Sequence, residues 1–352
     1  IVIQFALSLT AIIFLVTVYR QFSYKAVKDM GFSRKNILNV PLAGVDFQRM
    51  KERMLQLKDV EAAAASSGTL GMPRHSSFCM IRTGSNQDNM EFGYYAGDAD
   101  FLKVMHLKLL AGSTFPATAP KDKEQYIIVN ETAVNAMGVK TPAEAIGKML
   151  WLSDSVPVNI VGVVKDFNYQ PIEVNIRPMA IRFIPGEFQQ LQLSMAKGNP
   201  AAQLAGIKQA WLQLHPGEIF SAEWMDEQLA SRNGQAVISM LGFLVFISTL
   251  IAALGLLGIV AYTSFTRRKE ISIRKVLGAG AASLLLLLSK NYVRLILIAG
   301  CIALPLGYLG SVFFLRIFAY RVSIGILPML GSFAFLVFLA LATILSQTWR
   351  AI

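Results

Sequence analysis

The chain has 352 residues, 54% of them hydrophobic, with a mean hydropathy of +0.49 and a formal net charge of +11. That is too apolar for an ordinary soluble protein, and the apolar excess sits at the two ends of the chain. The charge is not a nucleic-acid footprint. Residues 20–236 hold 23 basic and 21 acidic side chains, whereas 237 onward holds 10 basic and one acidic. Positive charge placed beside apolar runs follows from membrane topology and attraction to anionic lipid. Membrane lipid is therefore an expected partner, and nucleic acid is not.

In chain order, residues 1–19 form the first candidate span, close to the ~20 residues that cross a bilayer core. No basic leader precedes it and no small-residue cleavage site follows, so the pattern is not that of a cleaved signal peptide. Residues 20–236 read as an α+β region. Phe47, Met50, Met54 and Leu57, spaced at three or four, predict an amphipathic helix over 45–57. Residues 60–67 stay open between helix and strand, because four alanines favour helix. Strands are expected at 78–82, 91–96, 126–130, 158–165, 179–183 and 191–195, several separated by turn formers such as 84–88 and 154–157. Residues 130–137 predict a short helix. Residues 200–214 predict a longer one with Leu204, Ile207, Trp211 and Leu214 on one face.

Three further spans follow at 237–266, 291–315 and 326–346, with a turn at 316–325 and an end segment at 347–352. In the second span, Ala252, Gly255, Gly258 and Ala261 recur every three residues, which lets another helix approach closely. Pro305, near Gly300, Gly307 and Gly310, is expected to bend the third. No ionisable residue lies deep in any span, which argues against an ion or proton relay.

The segment 267–290 between spans two and three is the most informative. Its first nine residues contain Arg267, Arg268, Lys269, Arg274 and Lys275 against one acid, Glu270. A short loop this basic stays on the cytoplasmic side. Both chain ends are then inside and 20–236 outside, although Arg316 and Arg321 in the expected external turn weigh slightly the other way. Glu270 precedes Arg274 by four, the favourable order for a helical ion pair. Ile273, Val276 and Leu277 share a face opposite the charges. A rigid amphipathic helix there suits the receipt of a push from a soluble partner.

The block 268–279 resembles the R-K-E-I-x-I-R-K-x-L-G-A signature of the FtsX/MacB-like family of ABC transporter permeases. Residues 4–21 resemble that family's first span, and GFSRKNILNVPL (31–42) the start of its extracytoplasmic domain. IIVNETAVNAMG (127–138) and IVGVVKDF (160–167) resemble two later blocks of the domain, so the resemblance runs along essentially the whole chain. The family usually places Ser, Thr or Lys after G-A, where this chain has Gly280; Ser283 offers a later helix cap.

The resemblance implies four transmembrane α-helices plus a large extracytoplasmic α+β domain inserted between helices 1 and 2. It suggests a strand at 60–67 and two lobes, one around 36–70 plus 155–235, the other inserted around 71–150. It implies a separate ABC ATPase bound at 267–290, with Arg267, Arg268, Lys269, Glu270, Ile273, Arg274, Lys275, Leu277 and Gly278 as coupling residues and a short docking helix after Gly278. A second permease half or a homodimer, and a periplasmic adaptor or outer-membrane channel, are the other implied partners, in the bacterial inner membrane. The implied function couples ATP hydrolysis on the partner to movement of the periplasmic domain, in export of an antibiotic, peptide or lipoprotein. The alternative is a non-transporting scaffold that activates a cell-wall hydrolase. A chain beginning at Ile1 on the membrane edge reads as the second half of a longer two-half permease.

Catalytic chemistry is not expected. There is no G-x-x-x-x-G-K-[ST]; Gly147 and Lys148 are followed by Met149, so ATP belongs on the partner and no cofactor or metal on this chain. His75, His106 and His215 stand apart, and Cys79 and Cys301 read as isolated thiols. SMAK at 194–197 fits S-x-x-K but lacks S-D-N and K-T-G. Asp166 reads as a strand-ending turn residue, and Asn130 with Glu131 as a helix cap with a first-turn acid.

Overall fold

The computed structural model describes residues 2–72, 77–83, 89–116, 123–152, 156–230, 234–266, 273 and 281–351. They fall into two compact units, Ile1–Val27 with Asn233–Ile352, and Lys28–Arg232. The first helix, α1 (Val2–Val27), runs past the apolar stretch because residues 20–27 contain neither Gly nor Pro.

The second unit begins with β1 (Ile37–Pro41), α2 (Phe47–Leu55) and β2 (Val60–Ser66). The Asp46 carboxylate caps α2, accepting from the N–H groups of Gln48 and Arg49. Phe47, Met50 and Met54 turn inward, as their spacing requires. A long excursion follows: β3 (Ser77–Thr83), β4 (Asn89–Ala96), α3 (Phe101–Val104), β5 (Leu109–Gly112), β6 (Tyr126–Asn130), α4 (Glu131–Ala136), α5 (Pro142–Ala145), β7 (Met149–Leu152), β8 (Val156–Val164) and β9 (Met179–Arg182). The chain returns as β10 (Gln190–Met195), α6 (Pro200–Leu214), β11 (Glu223–Trp224) and α7 (Met225–Ala230).

Before and after the excursion the chain builds one antiparallel sheet, order β11-β1-β10-β2, in a β-α-β-β-α-β succession. Pairing with β10 makes Val60–Ser66 a strand despite its alanines; propensity is the weaker force. Leu38, Val40, Ala63, Ala65, Leu191 and Leu193 face α2 and α6 and pack on Met50, Met54, Ile207 and Trp211. The opposite face carries Asn39, Gln190 and Gln192. It is covered by the loop after β2 and by α7, through Asn39 Nδ2 to Gln228 Oε1 (2.9 Å) and to Thr69 Oγ1 (3.1 Å). Among the described residues, the Oδ1 of Asn39 and Oε1 of Gln192 are buried there without a hydrogen-bond partner.

The excursion forms the second sheet. Its strands run β8-β6-β9-β4-β3-β7, and β7 pairs back onto β8, so six strands close into a small barrel with β5 appended along β8. A register shift between β6 and β8 leaves Val161 as an extra residue, and the resulting bend lets β8 serve β7 with one half and β5 with the other. Inside lie Ile81, Phe92, Ile127, Val129, Leu150, Leu152, Val158, Ile160 and Ala180. This corrects the lobe assignment expected from the resemblance. Residues 156–182 belong to the inserted lobe rather than to the first, because β8 is the strand that closes the ring. The short strands β1, β5, β7 and β11 were not anticipated.

The first unit resumes with α8 (Gln235–Thr266), α9 (Ala281–Leu315) and α10 (Ile326–Ala351). Among the described residues, four helices are long and apolar enough to cross a membrane, one at the start of the chain and three after the α+β unit. That is the expected fold class.

Candidate functional site

The coupling residues expected at the cytoplasmic face lie mostly outside the described residues: Arg267, Arg268, Lys269, Glu270, Arg274, Lys275, Leu277 and Gly278. Ile273 is described; it is helical and 62% exposed. What frames the segment is clear. α8 is one continuous helix of 32 residues ending at Thr266, and α9 one of 35 starting at Ala281. At about 1.5 Å per residue, α9 is ~52 Å long, far more than the ~30 Å of a bilayer core. The short docking helix expected after Gly278 is thus, over 281–290, the beginning of the span helix itself. No Gly or Pro occurs between Ala281 and Ala299 to separate them, and Ser283 lies inside the helix rather than capping it. Lys290 and Arg294 are exposed on this extension.

In the bundle, α1 is the helix that the others share. Phe5, Leu9, Ile12 and Ile13 pack with Ala252, Leu256 and Val260 of α8, Ile296, Ala299 and Ala303 of α9, and Leu336, Ala340 and Ile344 of α10. Polar side chains add directional links that composition alone did not reveal. Ser8 and Ser248 hydroxyls meet at 2.9 Å, Thr17 and Ser311 at 3.0 Å, and Gln21 donates to Tyr320 O while accepting from Val322 N. Such bonds between spans are worth about 1 kcal/mol each.

The small-residue stripe divides. Ala252 is buried, and a Cβ on Gly255 would meet Gln4 Oε1 at 2.9 Å. Gly258 has nothing within 4 Å of that position, and Ala261 is exposed. A repeat of three on a 3.6-residue helix drifts, so Ala252 and Ala261 end on opposite sides. Pro305 lies inside α9, where Gly307 admits Ile13 and Gly300 admits the Phe333 ring.

In the α+β unit the expected decoys resolve into structure. Ser194 sits in β10 and Lys197 is exposed after it. His215 is buried, stacked on Trp211 at 4.1 Å, with its nitrogens facing Trp211 O and Leu42 O. Asn130 caps α4 through Ala133 N, and Asp166 adds a second cap, its carboxylate accepting from Thr132 N (2.9 Å) and Oγ1 (2.6 Å). Among the described residues, Arg182 and Lys51 form ion pairs within the unit. Arg182 forks onto Glu124 and lies 4.5 Å from the Tyr94 ring centre. Lys51 of α2 reaches Asp98 and Asp100 at 2.5 and 2.6 Å. Burial opposes the Lys51 charge, but the two carboxylates outweigh it and hold its ammonium above the usual lysine value. Burial raises the Asp98 carboxyl, and Lys51 only partly offsets that. Among the described residues, no group of three His, Cys, Asp or Glu side chains is placed to hold a metal.

An α+β unit inserted after the first of four membrane-length helices is therefore on hand, with a basic segment between the second and third. Residues 5–218 match the MacB-like periplasmic core domain, and residues 242–352 match the FtsX-like permease C-terminal. The chain belongs to the MacB/FtsX-like family of ABC permeases. Both matched segments are permease domains, and neither is an ATPase domain. This family member is a multi-pass membrane protein whose α+β unit is periplasmic or extracellular.

Among curated relatives, the chain is 25% identical over 252 residues to the uncharacterized ABC transporter permease YknZ of Bacillus subtilis, covering 64% of this chain and 61% of that protein. It is 25% identical over 236 residues to the macrolide export ATP-binding/permease protein MacB of Chromobacterium violaceum, covering 64% of this chain and 36% of that one. The chain thus spans less than two thirds of either relative. Of solved structures, the periplasmic region of MacB from Actinobacillus actinomycetemcomitans aligns with a TM-score of 0.41 at 13% identity, over 59% of this chain and 98% of that chain.

Proposed function

We propose that this permease couples ATP hydrolysis on a separate ATPase to movement of its extracytoplasmic domain, in export of a substrate across or away from the membrane. The observation that supports this is the continuity of α8. Its first residue follows the α+β unit within a few positions, and its last directly precedes the basic segment 267–280. A helix of 32 residues with no internal Pro transmits an axial or tilting displacement between its ends. The exposed, helical Ile273 fits an apolar contact offered to a partner. A second permease copy completes the proposed assembly, and the open Gly258 and Ala261 side of α8 gives it a surface that admits close approach.

The test exchanges charges without changing their number. Glu270→Arg with Arg274→Glu keeps the basic count that fixes orientation, but reverses the favourable helical order. Coupled ATPase stimulation and transport should fall while membrane insertion stays normal. Full coupling in that variant would remove the segment from the transmission route.

A further inference from the structure

Two unpaired lysines far apart in sequence border one open cleft in the extracytoplasmic unit. The cleft, of about 540 Å³, forms where the loop 29–33 is laid against residues 106–108 and 165–168. Backbone hydrogen bonds fix the three walls: Ser33 N to Met105 O, Asn168 N to Met30 O, and Lys165 N to Lys108 O, each 2.8 Å. Gly31 makes the approach feasible. Its φ is +82°, and a Cβ there would come within 2.8 Å of Phe167 Cβ.

The charges on the rim are Lys108, Lys165, Asp29 and Asp166, with His106 beside them. Three of the four carboxylate oxygens are hydrogen-bonded within the protein. Both oxygens of Asp166 hold Thr132, and Asp29 Oδ1 accepts from Gly31 N. Among the described residues, Lys108 and Lys165 form no ion pair or side-chain hydrogen bond, and their ammonium groups remain uncommitted. Asn168, also lining the cleft, is 7% exposed, and its Oδ1 has no hydrogen-bond partner among the described residues. Unpaired buried acceptors are costly, about 1–3 kcal/mol, so a donor brought to Asn168 is favoured.

We infer that this cleft binds a phosphoester that also carries a hydroxyl group. The two ammoniums meet the phosphoryl oxygens as point charges, and Asn168 supplies an acceptor for the hydroxyl. The volume is far larger than a bare anion needs. Phosphoglycerol has this chemistry, either as the headgroup of phosphatidylglycerol or free in solution as glycerol phosphate. Asp29 follows the last residue of α1 by two positions along the chain.

The experiment uses the full chain in detergent, with Lys108→Gln/Lys165→Gln set against Lys197→Gln/Lys208→Gln, two other exposed lysines of the same unit. Glycerol phosphate and inorganic phosphate are titrated by calorimetry. Retention of phosphatidylglycerol against phosphatidylcholine is read by native mass spectrometry. Glycerol phosphate should bind more tightly than inorganic phosphate, and the cleft pair should weaken it by about tenfold while the control pair leaves it within about twofold. Selective retention of phosphatidylglycerol, lost only in the cleft pair, identifies the lipid as the source. Binding of glycerol phosphate without lipid selectivity identifies the free phosphoester. Absence of both, or equal weakening by the two pairs, overturns the proposal. Unchanged melting temperatures establish that the variants are folded.

Discussion

The two sheets of the extracytoplasmic unit are built on opposite principles. The barrel has closed its edges and filled its interior with Ile81, Phe92, Ile127, Leu150 and Ile160. The open sheet has one apolar face under α2 and α6, and one face of amides under α7. Gln190 Nε2 donates to Thr69 Oγ1 and Gln192 Nε2 to Gly68 O, while two amide oxygens nearby go without. Apolar burial gains about 25 cal/mol per Å². Exchanging water for an internal hydrogen bond gains only about 1 kcal/mol, and each orphaned acceptor returns about that much or more. The barrel is held by what it buries, whereas α7 combines amide hydrogen bonds with one fully buried anchor, Met225, beside which Leu229 packs. α7 is also the last element before α8, so this mixed polar and apolar contact stands at the start of the proposed transmission route.

The largest expected effect tests the barrel. Phe92→Ala removes a fully buried ring and should cost about 3–5 kcal/mol, read as a drop in the urea midpoint of the extracytoplasmic unit. A loss under 1 kcal/mol would show that the ring of strands does not depend on its filling.

Next comes Lys51→Met, which strands Asp98 between the two sheets. It should cost about 2 kcal/mol at neutral pH, below the 3–5 of a fully buried pair because Asp100 is half exposed. The pH sign discriminates. A raised carboxyl loses stability as pH rises above the ordinary aspartate value, so the deficit should be small near pH 4 and grow toward neutrality. The Lys51 ammonium does not titrate in this range, its own linkage appearing only above the ordinary lysine value, so the pH dependence reports the carboxyl. Adding Asp98→Asn should recover much of the loss; a deficit independent of pH would indicate lost packing instead.

Gln228→Ala tests the polar face and should cost about 1 kcal/mol. Hydrogen exchange should quicken in residues 223–230 and leave the barrel strands unchanged. Equal loss of protection in both sheets would erase the contrast drawn above.

The smallest effect is chemical. Burial pushes the Cys79 thiol up to about 11, so on β3 it stays protonated at pH 8. Its alkylation should be slow there and rise about tenfold per pH unit, whereas rapid labelling at pH 7 would mean that β3 opens.

Much of this was readable in the sequence where structure is local. The 3–4 spacing of Phe47, Met50 and Met54 produced α2, and the block at 126–130 produced β6 at the stated bounds. The four membrane-length helices followed from apolar length. The barrel did not, because closure depends on β7 meeting β8, and Met149–Leu152 is too short to show alternation. The strand QLQLSM alternates cleanly and so reads as half solvated; nothing local says that its amide side is covered. The basic segment was legible from charge, while the cleft had no signal at all. Lys108 and Lys165 are neighbours only through the β5–β8 pairing.

The manner in which the barrel is inserted has its own consequence. The chain leaves the open sheet at Ser66 and rejoins it at Gln190, and those two residues face each other across the β2–β10 ladder. Topologically the whole barrel occupies the place of a hairpin turn. The seam between sheet and barrel is apolar: Ile37, Ala64 and Leu70 share one buried cluster with Tyr95, Met179 and Ile181 of the barrel. Changes of length within such a module leave the register of the four strands intact as long as the apolar seam is kept. The fold thus separates, along the chain, the sheet joined directly to the membrane helices from a module inserted into it at a single point.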